Sequence, residues 1–343
     1  TQLYMVMMGA VPDFQSGSAI AVIMLIPSIV AVWLLRFTER FNFRYNKIST
    51  FELADDKVRD GFFAAVYVVV IAAIFAIFAI MFIVPFIKSW PYQVVFTTET
   101  LQRILSDRSI ETVYTNSVMV AAATAVIGTV LAYMAALVNA RSQLPGVCKM
   151  LMDACAMVTN TVPGMVLGVA FLFAFTGSPI QNTFIIIILL NSVREFTTPY
   201  LMIQASLSKI NMSWETTGAL MGDSWLKTIF RVIIPNTMST VFQMLSYIFI
   251  QAMVTISAII FVTGARTMVM TTKITQAQYF EKYDEVFVLS LLIFLTNIIV
   301  KVIFDYLSSH DDIVLHVKQK FQSIFGKEAK RQNAGLEDLP ERI

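Results

Sequence analysis

Along the 343-residue chain, apolar positions come in long uncharged runs rather than in alternating or one-sided patterns. The runs are Phe14–Leu35, Gly61–Ile87, Thr112–Ala140, Ala154–Val193 and Val232–Ala265, with a shorter one at Val286–Val300. A helix needs about 20 apolar residues to cross a hydrocarbon core of roughly 30 Å. The Ala154–Val193 run, at 40 residues, is long enough for two crossings, and Gly177-Ser178-Pro179 inside it reads as the turn between them. The pattern predicts seven spans, near 14–35, 62–87, 113–138, 151–176, 180–203, 233–262 and 286–307. A transmembrane barrel would instead show segments of about ten residues with a period of two, and no stretch has that pattern.

Composition agrees. Hydrophobic residues make up 57% and charged residues 14%, against about 25% charged in an ordinary globular domain. A disordered chain is excluded by the apolar content, and a soluble enzyme by the shortage of charge to cover its surface. The chain reads as an all-α polytopic membrane protein embedded in a lipid bilayer. Its 25 Lys+Arg against 23 Asp+Glu leave a net charge of +2, which implies no nucleic-acid partner.

Candidate metal or redox chemistry is absent from the pattern. Cys148 and Cys155 lie seven apart on a predicted helix, too far for a disulfide, whose Cα atoms must approach within about 7 Å. His310 and His316 sit in a charged tail, and the scattered methionines fit packing better than soft-metal coordination. The chain opens at Thr1 without a basic cleavable leader and without Met, which suggests a missing N-terminal portion.

Seven crossings put the two ends on opposite sides. One side would receive 36–60, 139–149, 204–231 and the tail after 307, with 17 Lys/Arg; the other carries 6. The first set is therefore expected to be cytoplasmic, with the C-terminus among it. On the other face, 88–112 carries Thr98 and Glu99, then Leu101, Ile104 and Leu105. This predicts a short amphipathic helix capped by Thr98 on the membrane surface, with Trp90 and Tyr92 in the interfacial aromatic belt.

The 204–231 loop is the most informative segment. Ser213 can cap a helix starting at Trp214, with Glu215 near its positive end. Gly222 can end that helix in the left-handed conformation, and Asp223 or Ser224 can cap a second helix leading into Pro235. The result is a helix–glycine turn–helix knob suited to docking in a groove of another protein.

The 210–235 segment resembles the cytoplasmic EAA loop of binding-protein-dependent ABC importer permeases. Gly222 and Pro235 have that family's thirteen-residue spacing, and Ile210 and Ser213 match its lead. With the glycine aligned, the family's Glu falls on Thr216 and its alanines on Thr217 and Gly218, while Glu215 precedes them and retains an acidic charge. Asn116-Ser117 with Ala121, Thr124, Gly128, Ala132 and Tyr133 looks like the family's second span. Val162-Pro163-Gly164 through Gly168 looks like its third, and Thr255–Phe261 is similar to the fifth span of the ferric-iron and phosphonate branch.

The resemblance implies a type I ABC importer transmembrane domain: a six-span unit at 61–308, with one preceding span. Residues 1–36 then look like the last span of a preceding permease copy, or an added anchor, 37–60 like a cytoplasmic linker, and 309–343 like a charged cytoplasmic tail. The implied partners are nucleotide-binding ATPase subunits, an extracytoplasmic binding protein and a second permease half, fused or separate. The implied solute is ferric iron, a phosphonate or an organophosphate. No Gly-x-x-x-x-Gly-Lys-Ser/Thr stretch occurs, so this chain is expected to bind no cofactor and to catalyse nothing, with ATP and Mg on the partner subunit.

Arg194 and Glu195 follow an apolar run inside the fifth predicted span. They either line the pathway, attracting an anion, or form a structural ion pair near the cytoplasmic end. Asn116, Ser117 and Asn160 either face a path or bond between helices. Gly164 and Gly168 read as helix packing. The competing reading is an ion-coupled transporter or channel subunit, for which the acidic residues in spans, Asp153, Glu195 and Asp305, are few.

Overall fold

The computed structural model describes residues 3, 6–7, 13–39, 56–211 and 213–309. His310, His316, the 310–343 part of the tail and 40–55 of the expected linker lie outside the described residues. The elements are α1 (Phe14–Glu39), α2 (Lys57–Ile83), an antiparallel pair β1 (Ile87–Ser89) and β2 (Gln93–Phe96), α3 (Glu99–Leu105), α4 (Arg108–Arg141), α5 (Gly146–Thr161) and α6 (Gly164–Phe175). There follow α7 (Phe184–Arg194), α8 (Thr197–Leu207), α9 (Ser213–Leu220), α10 (Trp225–Asn236), α11 (Met238–Val254), α12 (Met270–Tyr279) and α13 (Tyr283–Ser309).

By length and composition α1, α2, α4 and α13 can each cross a membrane, and three bent pairs bring the number up to seven if each pair is one span. The pairs are α5–α6, bent by 106°, α7–α8, bent by 52°, and α10–α11, bent by 73°. The straight spans expected at 151–176, 180–203 and 233–262 are thus corrected to broken ones. A proline lies at or beside each break. Pro163 forces Val162 into an extended conformation (φ −79°, ψ 124°). Pro199 stands in the first turn of α8, where its missing N–H costs nothing. Pro235 cannot donate to the preceding turn, and the chain widens into a π-helical turn at Ile229–Ile233 just before it.

The chain divides into two compact units, 1–117 with 263–295, and 118–262 with 296–343. In the first, α2 has no buried residue, as expected of a helix that is apolar all round and spans a membrane. Phe78 and Phe82 of α2 pack on Phe294, with ring centroids 5.4 and 5.5 Å apart. The Trp90 amide donates to Asp284 Oδ1 (3.2 Å), and Thr100 Oγ1 donates to the Lys88 carbonyl (3.2 Å). The short helix expected after Thr98 is present as α3, but the adjacent Thr97 hydroxyl accepts the Glu99 amide (3.1 Å), and Thr98 makes no cap bond. Its buried face is Thr100 and Ile104, with Leu105 exposed. Asp107 precedes α4 and accepts the Ser109 amide (2.8 Å), which holds its carboxyl below the usual range.

The second unit holds a core in which small residues let helices approach closely. Ala132 and Ala136 of α4 pack with Ala156 of α5, Tyr200, Ile203 and Leu207 of α8, Ile229 and Ile233 of α10 and Met244 of α11. Gly168 abuts the Ala258 carbonyl, in keeping with the packing role read from sequence. A polar knot lies within the core: Asp153 Oδ1 accepts from Tyr200 Oη (2.6 Å), Asn139 Nδ2 (2.7 Å) and Gln204 Nε2 (3.3 Å). Removing the Tyr200 hydroxyl leaves Asn139 and Asp153 each short of a partner. Tyr200→Phe is therefore expected to destabilise the protein by about 1–3 kcal/mol, measured as a lower unfolding temperature in detergent; an unchanged Tm would mean that the knot contributes nothing.

Candidate functional site

The 210–235 segment forms the elbow anticipated from its glycine. Helix α9 runs for two turns, Ser213–Leu220, and stops where Gly222 takes φ +80°, a conformation that costs a side-chain-bearing residue strain. The Asp223 amide closes the helix end on the Gly218 carbonyl (2.9 Å). The start differs from expectation. Asn211 Oδ1 accepts the Ser213 amide (3.0 Å), so Asn211 caps α9, while Ser213 lies inside it and its carbonyl accepts from Thr217 Oγ1 (2.9 Å).

Beyond the turn, Ser224 precedes α10 in an extended conformation but its hydroxyl makes no cap bond. Asp223 is ion-paired with Lys227 one turn along, and lies 3.6 Å from Arg231 Nη1. The two arms touch at Gly218, where an added Cβ would come within 2.8 Å of the Thr228 hydroxyl. Thr228 and Pro235 are both buried.

Glu215 does not face outward. Its carboxylate is 3.2 Å from Arg141 Nε, with the two side chains 18% and 4% exposed. Arg141 Nη2 also donates to the carbonyls of Leu207 and Ile210, both at 2.8 Å. One guanidinium therefore joins the end of α4, the exit from α8 and the first turn of α9. Thr216 and Thr217 lie on the exposed side of α9, and Leu220 and Met221 at the tip are 84% and 79% exposed. Sequence reading missed Arg141, counting it only as a basic loop charge; its one local signal is a cation in the last turn of a long apolar helix.

Arg194 and Glu195 mark the break between α7 and α8. Arg194 Nε donates to Glu195 Oε1 (3.1 Å) and Nη1 donates to Ser257 Oγ (2.7 Å). The Tyr247 hydroxyl lies 3.5 Å from Glu195 Oε2 and 3.2 Å from Thr198 Oγ1. Arg194 and Glu195, for which the sequence left a path-lining role and a structural ion pair open, are ion-paired at the bend between α7 and α8. Charge at span depth costs about 2.5–3.5 kcal/mol on insertion scales, and pairing offsets part of that. Gly164 adjoins the pair: a Cβ there would run into Arg194 Nη1 and Ser257 Oγ.

The remaining candidates sit elsewhere. Asn116 Nδ2 donates to the Met268 carbonyl (3.2 Å), and Ser117 Oγ accepts the Met270 amide (2.6 Å), both within the first unit. Asn160 is exposed on α5. Cys148 and Cys155 are free, exposed thiols, and among the described residues no three His, Cys, Asp or Glu side chains gather as metal ligands.

Comparison with known proteins follows the same outline. Residues 128–310 match the family described as binding-protein-dependent transport system inner membrane component. The ferric transport system permease protein FbpB of Actinobacillus pleuropneumoniae is 26% identical over 286 residues, 79% of this chain and 40% of that protein. A putative ferric transport system permease protein FbpB 1 of Haemophilus influenzae is 34% identical over 116 residues, 33% of this chain and 18% of that one. The chain thus spans about two fifths or less of the length of these curated relatives.

Among solved structures, a bacterial ABC transporter involved in import of the acidic polysaccharide alginate matches with a TM-score of 0.59 at 11% identity, over 72% of this chain and 94% of that one. The alginate ABC transporter in complex with an alginate pentasaccharide-bound periplasmic protein gives 0.61 at 11% identity, over 73% and 95%. At that identity the likeness is one of fold.

Arg141→Met would strand a buried carboxylate and two helix-end carbonyls. It is expected to cost about 3–5 kcal/mol and to raise deuterium uptake across 208–222, with Glu215→Gln milder on both counts. Unchanged uptake in Arg141→Met would show the latch to be idle.

Proposed function

The chain belongs to the family of binding-protein-dependent transport system inner membrane components, and on that premise we propose that it is the transmembrane permease of an ATP-driven importer. In this reading nucleotide-binding subunits, which carry ATP and Mg, dock on the 213–222 elbow from the cytoplasm. An extracytoplasmic binding protein delivers a small solute to the opposite face. A second permease half, fused or separate, supplies the other wall of the path. Ferric iron, a phosphonate or an organophosphate is the solute class, supported by the branch resemblance and by the ferric permeases among the relatives. The charge distribution along the chain supports a cytoplasmic C-terminus.

One observation carries the proposal. The elbow's first arm is tied to the end of α4 by Arg141 with Glu215, and its two arms meet at Gly218 and Thr228, while its apolar tip, Leu220 and Met221, is bare. A rigid mount with an exposed apolar end is what a force-transmitting contact requires, since burying the tip in a partner's groove supplies the hold and the mount prevents the push from being absorbed. Glu215, being engaged with Arg141, leaves partner contact to Thr216, Thr217, Leu220 and Met221. Closure of the ATPase dimer would then move paired elbows together and rock the attached spans between inward- and outward-open states.

Two variants separate docking from coupling. Leu220→Glu with Met221→Glu is expected to weaken copurification of the nucleotide-binding subunits by tenfold or more, roughly the loss of one interface anchor. Gly222→Val is expected to insert normally and to lose binding-protein-stimulated ATP hydrolysis. Transport that persists in Gly222→Val, or that runs on an ion gradient without ATP, would count against the proposal.

A further inference from the structure

Three interruptions of helical backbone meet in the second unit. Gly164 opens α6 after the α5–α6 break, Arg194 ends α7 at the α7–α8 break, and Ser257 lies in the non-helical stretch after α11. Non-helical backbone at membrane depth is tolerated where it is buried in protein or lines a water-filled cavity. The charged pair is unevenly exposed: Arg194 is 30% exposed and Glu195 10%. The carboxylate is turned under Tyr247, and the cation is the more exposed of the two.

The guanidinium also keeps donors in reserve. Of its five N–H groups, Nε serves Glu195 and one on Nη1 serves Ser257, while Nη2 donates to nothing among the described residues. Gly164 lets Nη1 and the Ser257 hydroxyl seat against the start of α6, because any Cβ at that position would collide with both. The first turn of α6 has no side-chain cap, so its positive end adds to the same potential. One carboxylate therefore faces two sources of positive charge.

Resting on the permease reading above, we propose that Arg194 and the Ser257 hydroxyl form a contact point on the translocation path for an anionic oxygen group. A phosphate, phosphonate or carboxylate would be bound there by the free edge of the guanidinium, which matches such groups two donors to two oxygens. A bare cation would be repelled. A metal would pass this point only in the company of anionic ligands.

The test reads the local potential with charged thiol reagents, so it needs no identified solute. The permease is assayed in membrane vesicles with its ATPase subunits, in one form retaining only the exposed Cys148 and in another carrying only Ser257→Cys. Anionic sulfonatoethyl and cationic trimethylammonioethyl methanethiosulfonates are applied to both, and Cys148 supplies the reference ratio of their rates. The introduced thiol at position 257 is expected to favour the anionic reagent at least fivefold over that reference. Arg194→Gln should abolish the preference and Arg194→Lys, which keeps the charge, should retain most of it.

A thiol that neither reagent reaches, a preference for the cation, or a ratio indifferent to Arg194→Gln would overturn the proposal. ATP-dependent transport and subunit copurification are followed in the same vesicles. Their loss in the parent form refutes the permease reading itself, whereas an absent charge preference with ATP coupling intact refutes the anion contact alone.

Discussion

The elbow depends on one guanidinium. The last carbonyls of a helix have no partner within it, and α8 ends at Leu207, where the chain must turn away toward Asn211. Arg141 meets the Leu207 and Ile210 carbonyls with a single nitrogen and sets its Nε against Glu215. A lysine would bring the charge but not the planar fork that serves several acceptors in fixed directions. The same contact neutralises a carboxylate that would otherwise be costly to bury, and it places a cation at the negative end of α8. The position of α9 relative to α4 and α8 thus rests on a residue that belongs to none of the loop's own sequence.

Above the elbow, the breaks in the spans follow a common economy of hydrogen bonds. At the breaks, threonine hydroxyls add side-chain bonds to backbone carbonyls of the adjoining helices. Thr197 Oγ1 donates to the Ala156 carbonyl (2.6 Å), Thr237 Oγ1 to that of Ile233 (3.0 Å) and Thr255 Oγ1 to that of Gln251 (2.8 Å). Thr159 and Thr197 further share a bond across two broken spans at 2.8 Å. In a medium without water such added bonds help hold irregular backbone in place.

The spans were legible because membrane thickness converts apolar length directly into crossings, and the charge-free runs left little room for another count. Their bends were not. Pro163 and Pro235 announce an interruption, but the angle depends on what the second half packs against. Gly222 was legible as a helix stop because few residues tolerate positive φ, whereas the cap at the other end was misread by two positions. Asn211 and Ser213 are both good cap formers, and only the path of the chain out of α8 decides which oxygen reaches an amide; Thr97 and Thr98 pose the same ambiguity before α3. Arg141 and Glu215 stand 74 positions apart, with no periodicity to connect them. Arg194 was conspicuous as a charge within an apolar run, but its neighbours Gly164 and Ser257 come from other spans.

These separate contacts converge on α8. Glu195 lies just before its N-terminus and Arg141 closes its C-terminus, so opposite charges complement the helix dipole at both ends. Eleven residues long, α8 is too short to be stable by itself and is held by those ends and by Tyr200, Ile203 and Leu207 in the core. Its far end is the elbow and its near end is the break that carries Arg194. A single helix thus connects the Arg141 contact at the elbow with the Arg194–Glu195 pair at the break. The 52° bend there separates α8 from α7, so the charged pair sits where two helices of one span change direction.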